Sequence, residues 1–398
     1  MPVHFSSLPE ILPEPVKPQK SRWLLIPGFL LLIAYGLGRF FPLKQALGEA
    51  WFLLLTVIFP LLIGLIFYGI RLWIYENRRD YVQQWNETRR ITEERLVLQG
   101  QQSIGVLSFA YHTSAANNKL ADALLQGVQA LTPIYHSPND RVEYYSQLQP
   151  APDTDSLDEY RQRLNLHLGQ VLSSLTNEYL NQPCHLRIRH NGVLADNQLL
   201  DILYPLLQKE QIPVNGVIFD EGIDGLLWID AWLDSDTTIP LTLSIEIQLH
   251  TSPVPQVAES VSAILLARNN WCRRQKLTPL ADVHRPVDLS DHSGSLEDLL
   301  LFGKVKPPAS LYLWQSISDH ESLVDALLEL DTHGIDIAAH QHSIRQSLGQ
   351  PAAAVGNLAL VCAVEHLRSS RQAQLILLQG QDHAFQGCIV RAHMDQDK

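Results

Sequence analysis

The sequence predicts an α/β protein of layered sheet and helices, preceded by an N-terminal transmembrane helical hairpin. Three observations predict it. Two uncharged apolar stretches, residues 23–38 and 51–70, lie near the start of the chain. Beyond residue 100, short apolar or alternating runs that read as strands take turns with segments of helical spacing. Strands alternating with helices imply a sheet layered with helices.

Residues 1–22 form a tail with Lys17, Lys20 and Arg22 before the first apolar stretch, WLLIPGFLLLIAYGLG. That stretch falls a little short of the roughly 20 residues a bilayer core requires. Extension through RFFPL supplies the length, with Arg39 able to snorkel. WFLLLTVIFPLLIGLIFYGI (51–70) is long enough by itself. Pro27 and Pro60 are tolerable in such helices, and Trp23, Trp51, Tyr68 and Trp73 sit where interfacial anchors sit. A cleaved signal peptide is the alternative for the first stretch. It lacks an A-x-A-like site, and a second span follows closely. Residues 23–73 therefore read as two transmembrane helices with a short periplasmic loop. Arg71, Arg78, Arg79, Arg89 and Arg90 follow the second span, whereas the loop holds only Arg39 and Lys44. By the positive-inside rule both termini and the main domain are cytoplasmic, in a two-pass membrane protein. Asn86-Glu87-Thr88 matches a glycosylation sequon, but it falls on that cytoplasmic side.

Residues 74–100 are charged and helix-prone, a juxtamembrane stalk. Two α/β halves follow, 101–258 and 259–398. In the first, 103–113 reads as a strand, 118–131 as a helix, 132–156 as a long proline-punctuated loop and 157–180 as a helix. HLRIRHNG is an alternating strand, NQLLDILYPLLQKE a helix and PVNGVIF a buried strand. IPLTLSIEIQL (239–249) alternates strictly, which reads as a half-buried strand and a candidate sheet edge. In the second half, 259–275 is a strand running into a polar helix, and 309–318 is a strand. HESLVDALLEL is a helix, and AQLILLQGQ with GCIVRAH closes the chain as a hairpin.

Composition narrows function. The chain has 398 residues and a formal charge of −12. Residues 1–90 hold ten basic and six acidic side chains, so the remaining 308 hold 20 and 36, a net −16. An acidic soluble part argues against nucleic acid as the partner, because phosphate binding needs clustered Lys and Arg. Cys184, Cys272, Cys362 and Cys388 are far apart, without a CxxC. They suggest neither a disulfide framework nor a zinc site. Cys362 and Cys388 sit in apolar runs and read as buried thiols. His340 and His342 share a strand face but lack a convincing third metal ligand, so they read as solvated loop histidines. Asp220 and Glu221 follow a buried strand, where α/β proteins often keep their sites. A turn and helix cap explains them equally well. No P-loop or dinucleotide fingerprint occurs, and no metal or cofactor is implied.

The order of motifs over 259–398 resembles the C-terminal part of a β-ketoacyl synthase, on the thiolase fold. ESVSAILLA resembles the family's E-G-A-G-A-L-V-L-E strand. RQSLGQPAAAVG (345–356) resembles K-S-x-x-G-H-x-x-G-A-A-G, and the closing hairpin resembles the family's last two strands. The resemblance implies that the catalytic lysine falls on Arg345 and the catalytic histidine on Gln350. Arginine does not give up its proton, and glutamine carries none that titrates near neutral pH. The second family histidine is expected near 313–319, where His320 is the nearest imidazole. The nucleophilic cysteine is expected near 217–225, which has none, and Cys184 lies too early. The resemblance therefore implies a degenerate, thiolase-like pseudoenzyme. Ser347 could instead simply cap the helix from Pro351, with Arg345 and Gln350 lining nothing.

The layout of membrane segments followed by strand, short helix and long loop also resembles, more loosely, adaptors of bacterial type VI secretion that load lipase effectors. That resemblance implies a location in a bacterial inner membrane and protein partners: an effector, a spike component or an inner-membrane complex subunit. The alternatives are a membrane-associated acyl-chain enzyme using Asp220 or Glu221, and a structural subunit. A homodimer through sheet edges fits the last.

Overall fold

The structure is a computed structural model. It describes residues 8–40, 48–136, 141–175, 182–222, 224–235, 239–290, 296–337, 340–380 and 384–393. They form two compact units, Phe5–Leu96 and Val97–Lys398.

The smaller unit is built on α1 (Lys20–Phe40) and α2 (Glu49–Gly100). α2 carries the second expected span and the stalk as one unbroken helix. Among the described residues it is the one helix long and apolar enough to cross a membrane; the apolar stretch of α1 covers only Leu25–Leu37. The two helices run antiparallel. The Trp23 and Tyr68 rings lie 6.4 Å apart, and Pro27 packs against Gly64 so closely that a Cβ there would sit 2.7 Å from Pro27 Cβ. Pro60 has no N–H to return to Thr56, and α2 widens into a π turn over Leu54–Ile58. The Thr56 hydroxyl donates instead to Phe52 O at 2.6 Å. On the stalk, Arg89–Glu93, Arg90–Glu87 and Arg90–Glu94 pair at helical spacing. The N-terminal tail returns along it. Leu12 and Asn86 exchange two 3.0 Å hydrogen bonds, Trp85 donates to Glu10 O and Arg89 to Pro9 O. The sequon asparagine is thus an anchor for the tail.

In the larger unit β1 (Ser103–Thr113) leads to α3 (Leu120–Leu125), β2 (Thr132–His136) and β3 (Arg141–Tyr145). Then come α4 (Leu157–Ser174), β4 (Cys184–His190), α5 (Asp196–Lys209), β5 (Val214–Phe219), α6 (Trp228–Asp234), β6 (Leu241–Gln248) and β7 (Ser260–Arg268). The second part runs α7 (Asn269–Gln275), β8 (Ala281–His284), β9 (Val287–Asp288), α8 (Leu296–Phe302), β10 (Ala309–Ser310), β11 (Tyr312–Ser316), α9 (His320–Thr332) and β12 (Ile335–Asp336). It closes with β13 (Gln341–Ser343), α10 (Ile344–Leu348), α11 (Val355–Ser370), β14 (Gln374–Gln379) and β15 (Phe385–Arg391). The helix expected over 118–131 stops early, because Gly127 at φ +84° ends it. The expected loop 132–156 contains the β2–β3 pair, since Pro133 begins a strand at a position that needs no ladder donor.

One sheet runs β13-β11-β14-β15-β8-β1-β7-β6-β4-β5. Read inward from each edge, both halves pair parallel, parallel, antiparallel, antiparallel, and they meet where β1 and β8 join antiparallel. The strand pairing of the larger unit is an internal repeat, and its first copy extends through β7. In this repeat α6 is the counterpart of the α10–α11 segment, yet it is seven residues long against sixteen for α11. α11 is apolar nearly all round and buried nearly throughout, as a helix enclosed on every side must be. It packs on one face of the sheet with Ile104, Ile264, Ile376 and Val390. α4 and α5 cover the other face of the first copy through Leu164, Leu168, Leu199 and Leu203.

Two strand expectations are overturned. β6 is no edge; it lies between β4 and β7 and is buried along its length. Its alternate polar residues face other protein groups and not water. The apolar strand β5 is the edge, and Ile218 on it is 58% exposed.

Candidate functional site

The site is built where α11 begins, over the carboxyl ends of β11 and β14. Ser343 caps α10 by accepting from Gln346 N. Gly349 ends it at φ +99°, with Gln256 O only 3.0 Å from where a Cβ would be, so the close approach needs glycine. The Gln350 backbone is then pinned by Gln350 N to Gln256 O at 2.7 Å and Ala258 N to Gln350 O at 2.9 Å. Ser347 is not the cap of the following helix. It lies inside α10, and its hydroxyl is 3.0 Å from His342 Nε2.

Arg345 and Gln350 do line a cavity. It has a volume of about 190 Å³ and is shared with Asp224, Ser316, Ser318 and Gln379. The four positions that family resemblance assigned to catalytic groups thus converge on one spot: 217–225 through Asp224, 313–319 through Ser316 and Ser318, and Arg345 and Gln350 themselves. None of the described lining residues is a cysteine or a histidine. Arg345 and Ser318 also line a wider cleft of about 580 Å³, with Tyr144, Gln256, Gln315 and His320. The Arg345 guanidinium is half-buried and meets no carboxylate among the described residues.

Behind the cavity lies a buried charge network. Arg187 and Arg189 share one face of β4. Arg187 bridges Glu246 at 2.7 Å and Asp220 at 2.6 Å, and its guanidinium stacks over Trp228 at 4.4 Å. Arg189 pairs with Asp224 at 2.6 Å. Glu246 is fully buried, and burial pushes its carboxyl upward against the opposing pull of Arg187. It also accepts Asn357 N at 2.7 Å, while Gln248 accepts Ala353 N at 3.2 Å. One N–H of the first turn of α11 and one of the short turn before it, groups normally left for a cap or ligand, are thus taken by side chains of β6. Gln386 locks the adjoining loop by donating to Asp224 O and accepting from Leu226 N and Leu227 N. Gly356 packs directly on that loop; a Cβ would meet Gly225 O at 2.5 Å.

Of the carboxylates expected from sequence, Asp220 is held by Arg187 and Glu221 is exposed; neither lines the cavity. Asp224, which does, was missed. The signal was Arg187 and Arg189 at alternate positions of a strand whose other face is apolar, because a buried arginine requires an acidic partner. His340 and His342 are half-buried, and His342 lies on β13 and not in a loop. Both pack beside aromatic rings, His340 6.4 Å from Tyr312 and His342 5.4 Å from Trp314, and burial lowers the His342 pKa. No three potential metal ligands converge among the described residues. All four cysteines are buried, and burial raises each thiol, Cys184 and Cys272 to about 11.

No family model and no curated protein matches this sequence. Solved structures do. Ketosynthase twelve of the bacillaene polyketide synthase from Bacillus amyloliquefaciens aligns at 10% identity and TM-score 0.53, over 74% of each chain. A β-ketoacyl synthase from Burkholderia phymatum aligns at 9% identity and TM-score 0.51, over 74% of this chain and 100% of that one. A type II polyketide ketosynthase in complex with its acyl-carrier protein aligns at 11% identity and TM-score 0.52, over 73% and 99%. At such identity the likeness concerns architecture alone: the larger unit has the thiolase-like ketosynthase fold.

Proposed function

We propose that the protein is a membrane-anchored, non-catalytic adaptor or scaffold whose thiolase-like domain binds protein partners. One observation carries the reading. The cavity where the fold converges is backed by the chain's own ion pairs and has no cysteine or histidine in its described lining, while the helix that would carry a nucleophile is cut to one short segment, α6. An acyl-transfer site needs an activated thiolate with a base beside it. The cavity's described lining offers an arginine, an ion-paired aspartate, serines and glutamines. Residues 23–73 anchor the protein in a bilayer as two spans, with both ends cytoplasmic. A role as accessory protein of type VI secretion rests on the sequence layout alone.

A second reading, an acyl-chain enzyme with altered chemistry, draws on the ketosynthase neighbours and on the cleft that reaches Arg345. It has to work through Asp220 or Glu221, and the first of these is already neutralised by Arg187. Self-association as a structural subunit uses the open β5 edge. Affinity capture of the full-length protein in mild detergent, followed by mass spectrometry, separates these readings. Secretion-apparatus subunits or an effector in stable ratio support the adaptor. Acyl carrier protein or bound lipid without any such partner overturns it.

A further inference from the structure

At the other end of the sheet, where β1 and β8 meet and β7 and β15 end, lies a cleft of about 800 Å³. Its charge runs against that of the acidic domain around it. Arg268, Arg273, Lys276, Lys304 and Arg391 all line it. Two carboxylates border it, and both are already engaged. Asp234 accepts from Arg285 at 2.7 Å and from Gln99 at 3.0 Å. Burial alone would raise its pKa, but these bonds hold it down at about 2. Asp282 accepts from Asn269 and His393, each at 3.0 Å.

Arg268 is held by the carbonyls of Trp232 and Ser235, but the other four cations have no carboxylate partner among the described residues. Arg391 donates only to the carbonyls of Gly303 and Lys304. Arg273 finds only Asn270, and the ammonium groups of Lys276 and Lys304 meet no carboxylate among the described residues. Lys304 is half-buried all the same. His284, 5% exposed in the cleft wall, is pushed to about 4 by burial and then by Lys304 and Arg391, so it adds no charge at neutral pH. Its Nδ1 is buried and takes no hydrogen bond.

Arg273, Lys276, Lys304 and Arg391, gathered in one concave site without a carboxylate partner among the described residues, attract a multivalent anion. The volume suits a small molecule, and leucines 98, 233 and 277 give it one apolar wall. A nucleic-acid strand requires a basic track over the surface, which residues 91–398, with a net charge of −16, do not offer. We propose that this cleft binds a small diphosphate-bearing ligand, its phosphates held by Arg273, Lys276, Lys304 and Arg391. The site is independent of the adaptor reading, since it shares no residue with the Arg345 cavity.

The test is calorimetric titration of the full-length protein in detergent with inorganic pyrophosphate. Saturable binding that weakens with salt is expected, as is a dissociation constant raised at least tenfold in Arg273→Glu/Lys276→Glu. Both residues are exposed, so that variant keeps its fold; Lys304→Gln gives a second, milder reading of at least threefold. Arg368→Glu, on the far end of α11, leaves binding within twofold. Competition then identifies the source: displacement by ADP marks a soluble nucleotide, displacement by farnesyl diphosphate a lipid headgroup, and either agrees with the proposal. No saturable binding at millimolar pyrophosphate, or equal binding by the double variant, overturns it.

Discussion

At the residue scale the decisive group is Arg187. It is 4% exposed and bridges two carboxylates, one of them fully buried. Removing one partner of such a pair leaves an uncompensated charge, which costs about 3 kcal/mol or more. Arg187→Met should therefore lower unfolding stability by about 3 kcal/mol, read from denaturant midpoints at unchanged slope. Histidines predict the response to acid. Burial, with His112 and Arg163 nearby, lowers His167 from 6.5 to about 4, and His284 falls to the same value for the reasons given above. Between those values the unfolded chain binds protons that the native one does not, so stability rises with pH. It should be fully present above about pH 6.5 and decline as pH falls toward 4. His167→Leu should flatten part of that slope in melting curves taken across the range. The sequence foretold some of this scale. The motif spacing put Arg345 and Gln350 at one place, and the structure brings them together. It did not foretell Asp224 or Glu246, because a carboxylate's partner is chosen by tertiary contact.

At the element scale, alternation misled in one strand and apolarity in another. Thr242, Ser244, Glu246 and Gln248 look like the wet face of β6, but a polar face can equally be buried when hydrogen bonds satisfy it. The run Val217-Ile218-Phe219 looks like an interior strand, yet β5 ends the sheet, and an exposed apolar edge invites a second chain. In detergent or nanodiscs the full-length protein should measure as a dimer, and Ile218→Lys should shift it to monomer at equal concentration. A wild-type monomer over the micromolar range would contradict this. Helix lengths were the other limit of the sequence. Spacing announced α4, α5, α9 and α11, but only the repeat in the sheet reveals that α6 is a shortened counterpart of α10–α11.

At the scale of the whole molecule, the sequence divides the chain into an apolar N-terminal part with its stalk, ending near residue 100, and an α/β part; the two compact units divide near residue 96. Internal duplication was not legible, because the two copies share pairing pattern without sharing sequence. The proposed topology can be mapped with added thiols, since the four native ones are buried and shifted upward by burial. Gly48→Cys should react with a membrane-impermeant maleimide on intact cells. Glu14→Cys and Lys209→Cys should react only after permeabilisation. Labelling of Lys209→Cys from outside would invert the topology. The proposed absence of acyl transfer at the convergence point is best tested by intact mass after incubating the full-length protein with acyl-carrier-protein and pantetheine thioesters. No covalent acyl adduct is expected, and no thioester loss above the uncatalysed rate. A stoichiometric adduct, or turnover abolished by Arg345→Ala, would contradict it.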